Sequence, residues 1–247
     1  MNSERFMVQM ANRINLSPSK TDLKIIEKRL IEEDSLYNEG FYCNWNIIEK
    51  SFESNKLITF ESNAKIIGFA VYSKYNIYVD IDILEINRNY RKKGFGKIFL
   101  NEIAQEFTNQ KIIAIRLFCQ PQESEHFWRR MGFIKFPTTG YFESDLIFYR
   151  PLIEVTKSNG TLDNFNKLEL WDVAPYQLTN NSPRWIWNLE LSNNKLEKPI
   201  IQPCNLNWNL RWTKNGEIVK EDKVKYFSNT ENKIAFCPFL YVKELIE

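Results

Sequence analysis

The apolar positions of the chain change their period several times, and each change marks a new element. Between Thr21 and about Glu33, apolar residues recur at the spacing of one helical face, with Ser19 or Thr21 as the cap. A second short helix is predicted for Asn46–Phe52. The stretch KLITFESNAKIIGFAVYSKY has the pattern of two strands joined by a hairpin turn at residues 62–64, and NIYVDIDILEI continues as a third extended segment.

Beyond Gly94 the period is helical again, and apolar residues stay on one face as far as Phe107. The segment KIIAIRLFC is typical of a buried strand, ESEHFWRRMGF of a short helix that ends at Gly132, and DLIFYRPL of another strand. Strands alternate with helices only in part. We therefore predict an α+β fold for the first half, with a mixed sheet flanked by helices.

The pattern changes near Glu154, after which strand signals predominate. RWIWNLEL and LNWNLRW alternate apolar and polar residues, and Asn215-Gly216 is a strong hairpin signal. We predict a first domain at residues 1–153 and, at 154–247, a smaller antiparallel β-rich domain, either a sandwich or a barrel. Its tryptophans permit a ligand-binding surface, but core packing explains them more simply.

Composition excludes several classes of protein. With 33 basic against 31 acidic residues, the net charge of +2 does not favour nucleic-acid binding, and any anion site must be local. There is no signal-like segment and no apolar run long enough to span a membrane, so a cytoplasmic protein with no membrane partner is expected. The four cysteines have no C-x-x-C spacing and are expected to be reduced.

The single histidine, His126, further narrows the chemistry. One histidine cannot build an H-E-x-x-H motif or a histidine-rich cluster, so no metal site is predicted. A serine–histidine–aspartate triad would have to use His126 itself. A lone histidine on an amphipathic helix is more often a packed or surface residue, and we assign it no catalytic role.

The sequence RKKGFG is unusual in a chain with only 8 glycines in 247 residues. It follows a predicted strand and opens a predicted helix, where free backbone N–H groups and the helix dipole favour an anion. Glycine lets a phosphate approach the backbone closely. The loop lacks the earlier glycine of a Walker motif, and Phe99 stands where a dinucleotide fingerprint needs a small residue.

R-x-x-G-x-G between a strand and a helix resembles the acetyl-CoA loop of the GCN5-related N-acetyltransferase (GNAT) family. The wider phrase ILEINRNYRKKGFGKIFL and the later FWRRMGF fit as well, so the resemblance covers about residues 20–152. It implies acetyl-CoA as cosubstrate. The end of the third extended segment, which matches the family's fourth strand, would then lie beside the pantetheine and the loop would hold the pyrophosphate. The residues so implied are Leu84, Glu85, Ile86, Arg91, Lys92, Lys93, Gly94, Phe95, Gly96 and Lys97.

The same resemblance suggests catalytic residues. In some members a carboxylate eleven residues before the loop acts as the base, and that position is Asp80 here. Asp82 lies two residues further on and is expected on the same face, in a polar cleft or facing solvent. The family's tyrosine acid is replaced by Trp128 and its asparagine by Pro121. Tyr141 or water is the expected substitute for the acid.

These expectations describe an N-acetyltransferase that moves an acetyl group from acetyl-CoA to an amine in a direct ternary complex. The acceptor is a small molecule, a peptide or a protein, and a homodimer is left open. Phe41, Tyr42 and Trp45 are expected either to shape the acceptor pocket or to belong to the core. The alternative is a non-catalytic CoA-binding module whose β-rich domain binds a partner.

Overall fold

The computed structural model describes residues 12–38, 40–137, 146–178, 181–192, 195–227 and 238–245. The chain divides into two compact units. The first contains the described residues up to Ile134 together with Leu146–Leu152, and the second begins at Lys135 and resumes at Ile153. The division into domains at residues 153 and 154 stays a prediction. None of the helices in the described part is long and apolar enough to cross a membrane.

The first unit is built on a seven-stranded sheet of order β1-β2-β3-β4-β5-β7-β6. Strands β4 and β5 pair in parallel, whereas β1–β2, β2–β3, β3–β4 and β5–β7 are antiparallel pairs, so the sheet is mixed as predicted. Its strands are β1 (Asn12–Asn15), β2 (Leu57–Ser62), β3 (Lys65–Lys74), β4 (Tyr78–Ile86), β5 (Ala114–Phe118), β6 (Ile134–Lys135) and β7 (Ile147–Pro151).

The helices are α1 (Lys20–Tyr37), α2 (Trp45–Glu53), α3 (Phe95–Asn109) and α4 (Glu125–Arg130). Ser19 and Asp22 form the capping box that starts α1. Helix α3 buries its apolar face in one core cluster, while α1 and α2 contribute to a separate cluster with Phe69, Val71 and Ile83. Both faces of the sheet are therefore covered, and the helices predicted from the apolar periodicity are confirmed.

The second unit contains a four-stranded sheet of order β13-β12-β8-β9 and a three-stranded sheet of order β10-β11-β14. The predicted hairpin is confirmed, because Asn215 and Gly216 join β12 to β13 with φ of 52° and 86°. The strands are β8 (Lys167–Leu170), β9 (Trp185–Asn188), β10 (Leu191–Ser192), β11 (Lys195–Pro203), β12 (Asn209–Lys214), β13 (Glu217–Lys223) and β14 (Phe239–Glu244).

Both sheets of the second unit supply one apolar core. Leu168, Trp187 and Trp212 come from the four-stranded sheet, and Ile200 and Val242 come from the three-stranded sheet. Trp187 and Trp212 are among the largest fully buried side chains, which confirms core packing for these tryptophans. A smaller antiparallel β unit is thus present, and its description as a sandwich or a barrel stays a prediction. Strand β11 was not predicted, because its prolines and charges interrupt the alternation of KLEKPIIQP.

Candidate active site

A cavity opens in the first unit where β4 and β5 stop pairing. Their parallel register runs from Tyr78 opposite Ala114 to Ile81 opposite Leu117. Beyond these residues the strands line a cavity of about 670 Å³. Residues 81–86 of β4 form one wall, and the walls also contain Glu33, Tyr37, Phe41, Arg88, Phe118, Glu123 and Trp128. The open edge of β4 therefore exposes backbone hydrogen-bonding groups to a space of ligand size.

One residue of β4 is displaced by a β-bulge. Val71 pairs with Ile83 and Tyr72 pairs with Ile81, so Asp82 is the extra residue between them. Asp82 lines the cavity, and its carboxylate accepts a hydrogen bond of 2.8 Å from the hydroxyl of Ser73. Burial raises the pKa of the Asp82 carboxyl, and the charge of Asp80 raises it further, against the lowering effect of the Ser73 bond.

Asp80 has a different environment. Its two carboxylate oxygens accept hydrogen bonds of 2.7 and 2.6 Å from the guanidinium of Arg116, on the neighbouring strand β5. Both oxygens of the Asp80 carboxylate are therefore engaged by Arg116, although a general base needs one oxygen free to accept a proton. Asp80 is also absent from the cavity wall. The assignment of Asp80 as the base stays a prediction, and the geometry gives Asp82 the more direct access to a ligand.

The glycine loop after β4 leads directly into α3, and its use as an anion site stays a prediction. Gly94 caps α3 with φ of 85°, a left-handed conformation that favours glycine. The N–H groups of Lys97 and Ile98 both bond to the carbonyl of Gly94. Within the described residues, the N–H groups of Phe95 and Gly96 have no acceptor, as expected at a helix start. These two groups are available to an anion.

The cations of the loop differ in what they contact. Lys92 and Lys97 are exposed, and neither forms an ion pair with a described residue. Lys93 donates to the carbonyl of Asn89 at 2.8 Å. Arg91 donates from Nε to the carbonyl of Ile86 at 2.7 Å and from Nη2 to Glu85 Oε1 at 3.2 Å. Arg91 is therefore held against the end of β4 and lines the cavity.

Leu84, Glu85 and Ile86 line the cavity, and their place beside pantetheine stays a prediction. The side chain of Glu85 was not expected to matter, yet it is nearly fully buried and accepts a hydrogen bond from Arg29 of α1 as well as from Arg91. Burial raises the pKa of the Glu85 carboxyl, while the two arginines oppose that shift. The sequence contained one indication of this buried charge, because Glu85 is a charged residue within the apolar segment ILEI at the end of β4.

Trp128 lines the cavity at the position where the family has a tyrosine. Its indole Nε1 donates to the hydroxyl of Ser124 at 3.0 Å, and Ser124 donates in turn to the carbonyl of Pro121 at 2.7 Å. The indole N–H is therefore engaged within the protein, and it is not an acid in any case. Tyr141, the substitute suggested from the sequence, lies outside the described residues.

The aromatic residues between α1 and α2 divide between the two predicted roles. Phe41 lines the cavity, whereas Tyr42 and Trp45 are not on its wall; all three pack in part against the α1–α2 core cluster. Sequence reasoning missed Tyr37 of α1 and Phe118 at the end of β5, which line the cavity with exposed fractions of 49% and 50%. Both residues are aromatic at positions that the helical or strand periodicity places away from the core, and this feature could have identified them.

The described residues contain no group of three or more histidine, cysteine, aspartate or glutamate side chains arranged to hold a metal ion. Cys43 and Cys119 form no disulfide in the described part of the chain.

Comparison with known proteins identifies a family for the segment that builds this cavity. Residues 23–133 match the model of the acetyltransferase (GNAT) family. The N-acetyltransferase ycf52 of Pyropia yezoensis, described as uncharacterized, is 30% identical over 78 residues, or 31% of this chain and 44% of that protein. The chain thus spans less than half of that relative's length.

Two solved structures are similar at the level of the fold. An acetyltransferase of the GNAT family from Staphylococcus aureus Mu50 is 16% identical, with 58% of this chain and 100% of that chain covered and a TM-score of 0.45. The PaiA N-acetyltransferase from Thermoplasma acidophilum, solved in complex with coenzyme A, is 20% identical, with coverages of 57% and 99% and a TM-score of 0.44. The family match at residues 23–133 confirms the resemblance to the acetyltransferase (GNAT) family that the glycine loop and the later G-F motif indicated.

Proposed function

We propose that this chain is an acyl-CoA-dependent N-acetyltransferase that transfers an acetyl group from acetyl-CoA to an amine. One observation carries the proposal: the unpaired edge of β4 is followed, after a few residues, by the loop at Arg91–Lys97, which contains the open N–H groups at the start of α3. The first offers hydrogen bonds to an extended amide-containing chain, and the second offers an anion site. Coenzyme A combines these two features in one molecule.

The reaction joins an amine nitrogen to the thioester carbon. The C–N bond forms, the C–S bond breaks, and the sulfur leaves as the CoA thiolate. An acceptor that arrives as an ammonium must first give a proton to a base, the nitrogen loses a second proton as the amide forms, and the thiolate takes up one proton. In a direct ternary complex both substrates occupy the cavity together, so the attacking nitrogen and the thioester are brought into contact.

We place the base at Asp82, with Asp80 as the sequence-based alternative. The bulge brings the Asp82 carboxylate to the cavity, and its raised pKa brings its basicity nearer to that of an effective general base. The Asp80 carboxylate is instead bound by Arg116. The thiolate takes its proton from water or from Tyr141, because the indole of Trp128 is not an acid.

Three carboxylates of the cavity wall, which also contains Arg88 and Arg91, support an amine acceptor. Glu33, Asp82 and Glu123 line the cavity, and none forms an ion pair with another described residue. Unpaired carboxylates favour a cation in their surroundings, which suits an acceptor that enters as an ammonium.

The second candidate function is a non-catalytic CoA-binding module with the β-rich unit as the partner-binding part. The observation that favours it is Trp128, which replaces the acid and is engaged with Ser124.

A thiol-release assay with acetyl-CoA and a panel of amines, run beside calorimetry with CoA, separates the two. Binding together with amine-dependent thiol release supports the transferase. CoA binding without release for any amine favours the binding module, and no binding contradicts both.

A further inference from the structure

We propose that Glu85 is a positioning residue: its buried carboxylate links α1 to the loop after β4 and holds Arg91 ready for the phosphates of coenzyme A. This inference rests on the proposed use of the loop for acetyl-CoA. The resemblance to the family implied a role for the backbone of Glu85 only, whereas this inference concerns its side chain. The side chain contacts neither the acetyl group nor the acceptor in this proposal, and it acts through Arg91.

Each oxygen of the Glu85 carboxylate serves one arginine. Oε1 accepts from Arg91 Nη2 at 3.2 Å, and Oε2 accepts from Arg29 Nη2. Arg29 lies on α1, 56 residues before Glu85, whereas Arg91 lies six residues after it. The side-chain exposures are 1% for Glu85, 12% for Arg29 and 45% for Arg91. The Glu85 carboxylate and Arg29 are therefore buried, and Arg91 is the member of the three that is exposed to solvent.

A second contact fixes the orientation of Arg91. Its Nε donates to the carbonyl of Ile86 at 2.7 Å, while Nη2 is held by Glu85. Two bonds on one planar guanidinium determine its plane and leave Nη1 without a partner among the described residues. The half-exposed side chain lines the cavity, so this nitrogen is available to a phosphate oxygen.

The charges of the three side chains favour this role. Two arginines on one carboxylate leave one net positive charge, next to a helix start that already favours an anion. A carboxylate buried in this way is costly, and such groups are weak evidence for stability alone. Holding Arg91 in a fixed orientation is therefore the role that we assign to the buried carboxylate of Glu85.

The test compares ligands with and without phosphates. In the full-length chain, Glu85→Gln keeps the side-chain shape but removes the charge that holds both arginines. We expect CoA affinity, measured by calorimetry, to fall by about tenfold to hundredfold, the range for losing hydrogen bonds to a charged group. The affinity for pantetheine, which lacks the phosphates, should stay unchanged. A merely structural role would weaken both ligands together.

Glu61→Gln is the matched control. Glu61 is also a buried glutamate of the same sheet, it pairs with Arg13 at 2.8 Å, and it does not line the cavity. Its replacement should change the affinity of neither ligand. Unfolding by heat, followed by circular dichroism, checks that both variants are folded.

A second variant covers the case in which Glu85→Gln does not fold. Arg91→Met changes a half-exposed loop residue and should reduce the preference for CoA over pantetheine by a similar factor. Where Glu85→Gln folds, its combination with Arg91→Met should lose little more CoA affinity than Arg91→Met alone. Equal CoA affinity in Glu85→Gln and the unaltered chain, an equal loss for both ligands, or additive losses would overturn the proposal. If the unaltered chain binds no CoA, the proposed function fails instead.

Discussion

Ser73 donates its hydrogen bond to Asp82, although Asp80 is the residue that stands opposite Ser73 in the β3–β4 ladder. Asp82 is the bulged residue of β4, which has no partner of its own on β3. The two aspartates thereby acquire different environments within one strand. Asp80 is bound to Arg116, and Asp82 reaches the cavity.

Asp82→Asn is expected to lower the turnover number by about 10²–10⁴, the usual effect of losing a general base, with little change in CoA affinity. The amide keeps the side-chain shape and can still accept the bond from Ser73. Steady-state thiol release measures turnover, and calorimetry measures the affinity. Turnover that is equal to that of the unaltered chain would exclude Asp82 as the base.

Asp80→Asn is the paired variant. It removes the charge that Arg116 contacts through two bonds, so we expect the free energy of unfolding to fall by about 1–3 kcal/mol. Turnover should change less than in Asp82→Asn. Should Asp80→Asn instead give the large loss of turnover with a stable fold, the sequence-based assignment is right and ours is wrong.

The pH dependence follows from the direction of the Asp82 pKa, which burial raises above its ordinary value. A base works in its deprotonated form, so turnover should fall on the acid side at a higher pH than for an ordinary carboxylate. For stability, a raised carboxyl pKa in the folded state contributes stability below the unfolded-state pKa and loses it as pH rises through the folded-state pKa. Asp82→Asn should therefore remove the fall of turnover at acid pH, and it should slightly raise Tm at neutral pH.

Gly94→Leu is expected to weaken CoA binding more than tenfold. A side chain at φ of 85° is strained by about 1–2 kcal/mol, and relief of that strain would move the open N–H groups of Phe95 and Gly96. Gly216→Leu is the control, since Gly216 has φ of 86° in the β12–β13 turn of the second unit. If Gly94→Leu is folded and binds CoA with the same affinity as the unaltered chain, the anion-site assignment is wrong.

The domain boundary can be tested with a fragment of residues 1–153. All the described residues of the cavity wall belong to the first unit, so the fragment should bind CoA with unchanged affinity if it folds. Limited proteolysis should spare the turn at residues 158–161, because the N–H of Gly160 and the hydroxyl of Ser158 both bond to the carbonyl of Ile186. A fragment that is insoluble or does not bind would argue for one integrated fold.

Trp187→Ala is expected to lower the free energy of unfolding by about 3–5 kcal/mol, because its side chain is 1% exposed in the core of the second unit. Chemical denaturation followed by circular dichroism measures this. Tyr176→Ala, at a residue that is 79% exposed, is the control and should change stability little. A small effect of Trp187→Ala would show that the tryptophans serve a surface rather than a core.

The elements that local sequence patterns determine were predicted well. Helix α3 follows from its 3.6-residue apolar period, and the Asn215-Gly216 hairpin follows from the positive φ angles that these residues tolerate. The strand–glycine–helix loop was also identified, because its signal lies within a dozen consecutive residues. Each of these features depends on neighbours in the chain, so the sequence alone determines it.

The environment of each charged side chain was decided by tertiary structure. Asp80 meets Arg116 across 36 residues, and Glu85 meets Arg29 across 56 residues. The cavity access of Asp82 depends on a bulge, which is a property of the register between β3 and β4. Periodicity within one strand predicted a common face for the two aspartates, but it contains no information about partners on other strands. For this reason the sequence by itself determined the loop and its elements, while the pairing of strands and helices decided which carboxylate reaches the cavity.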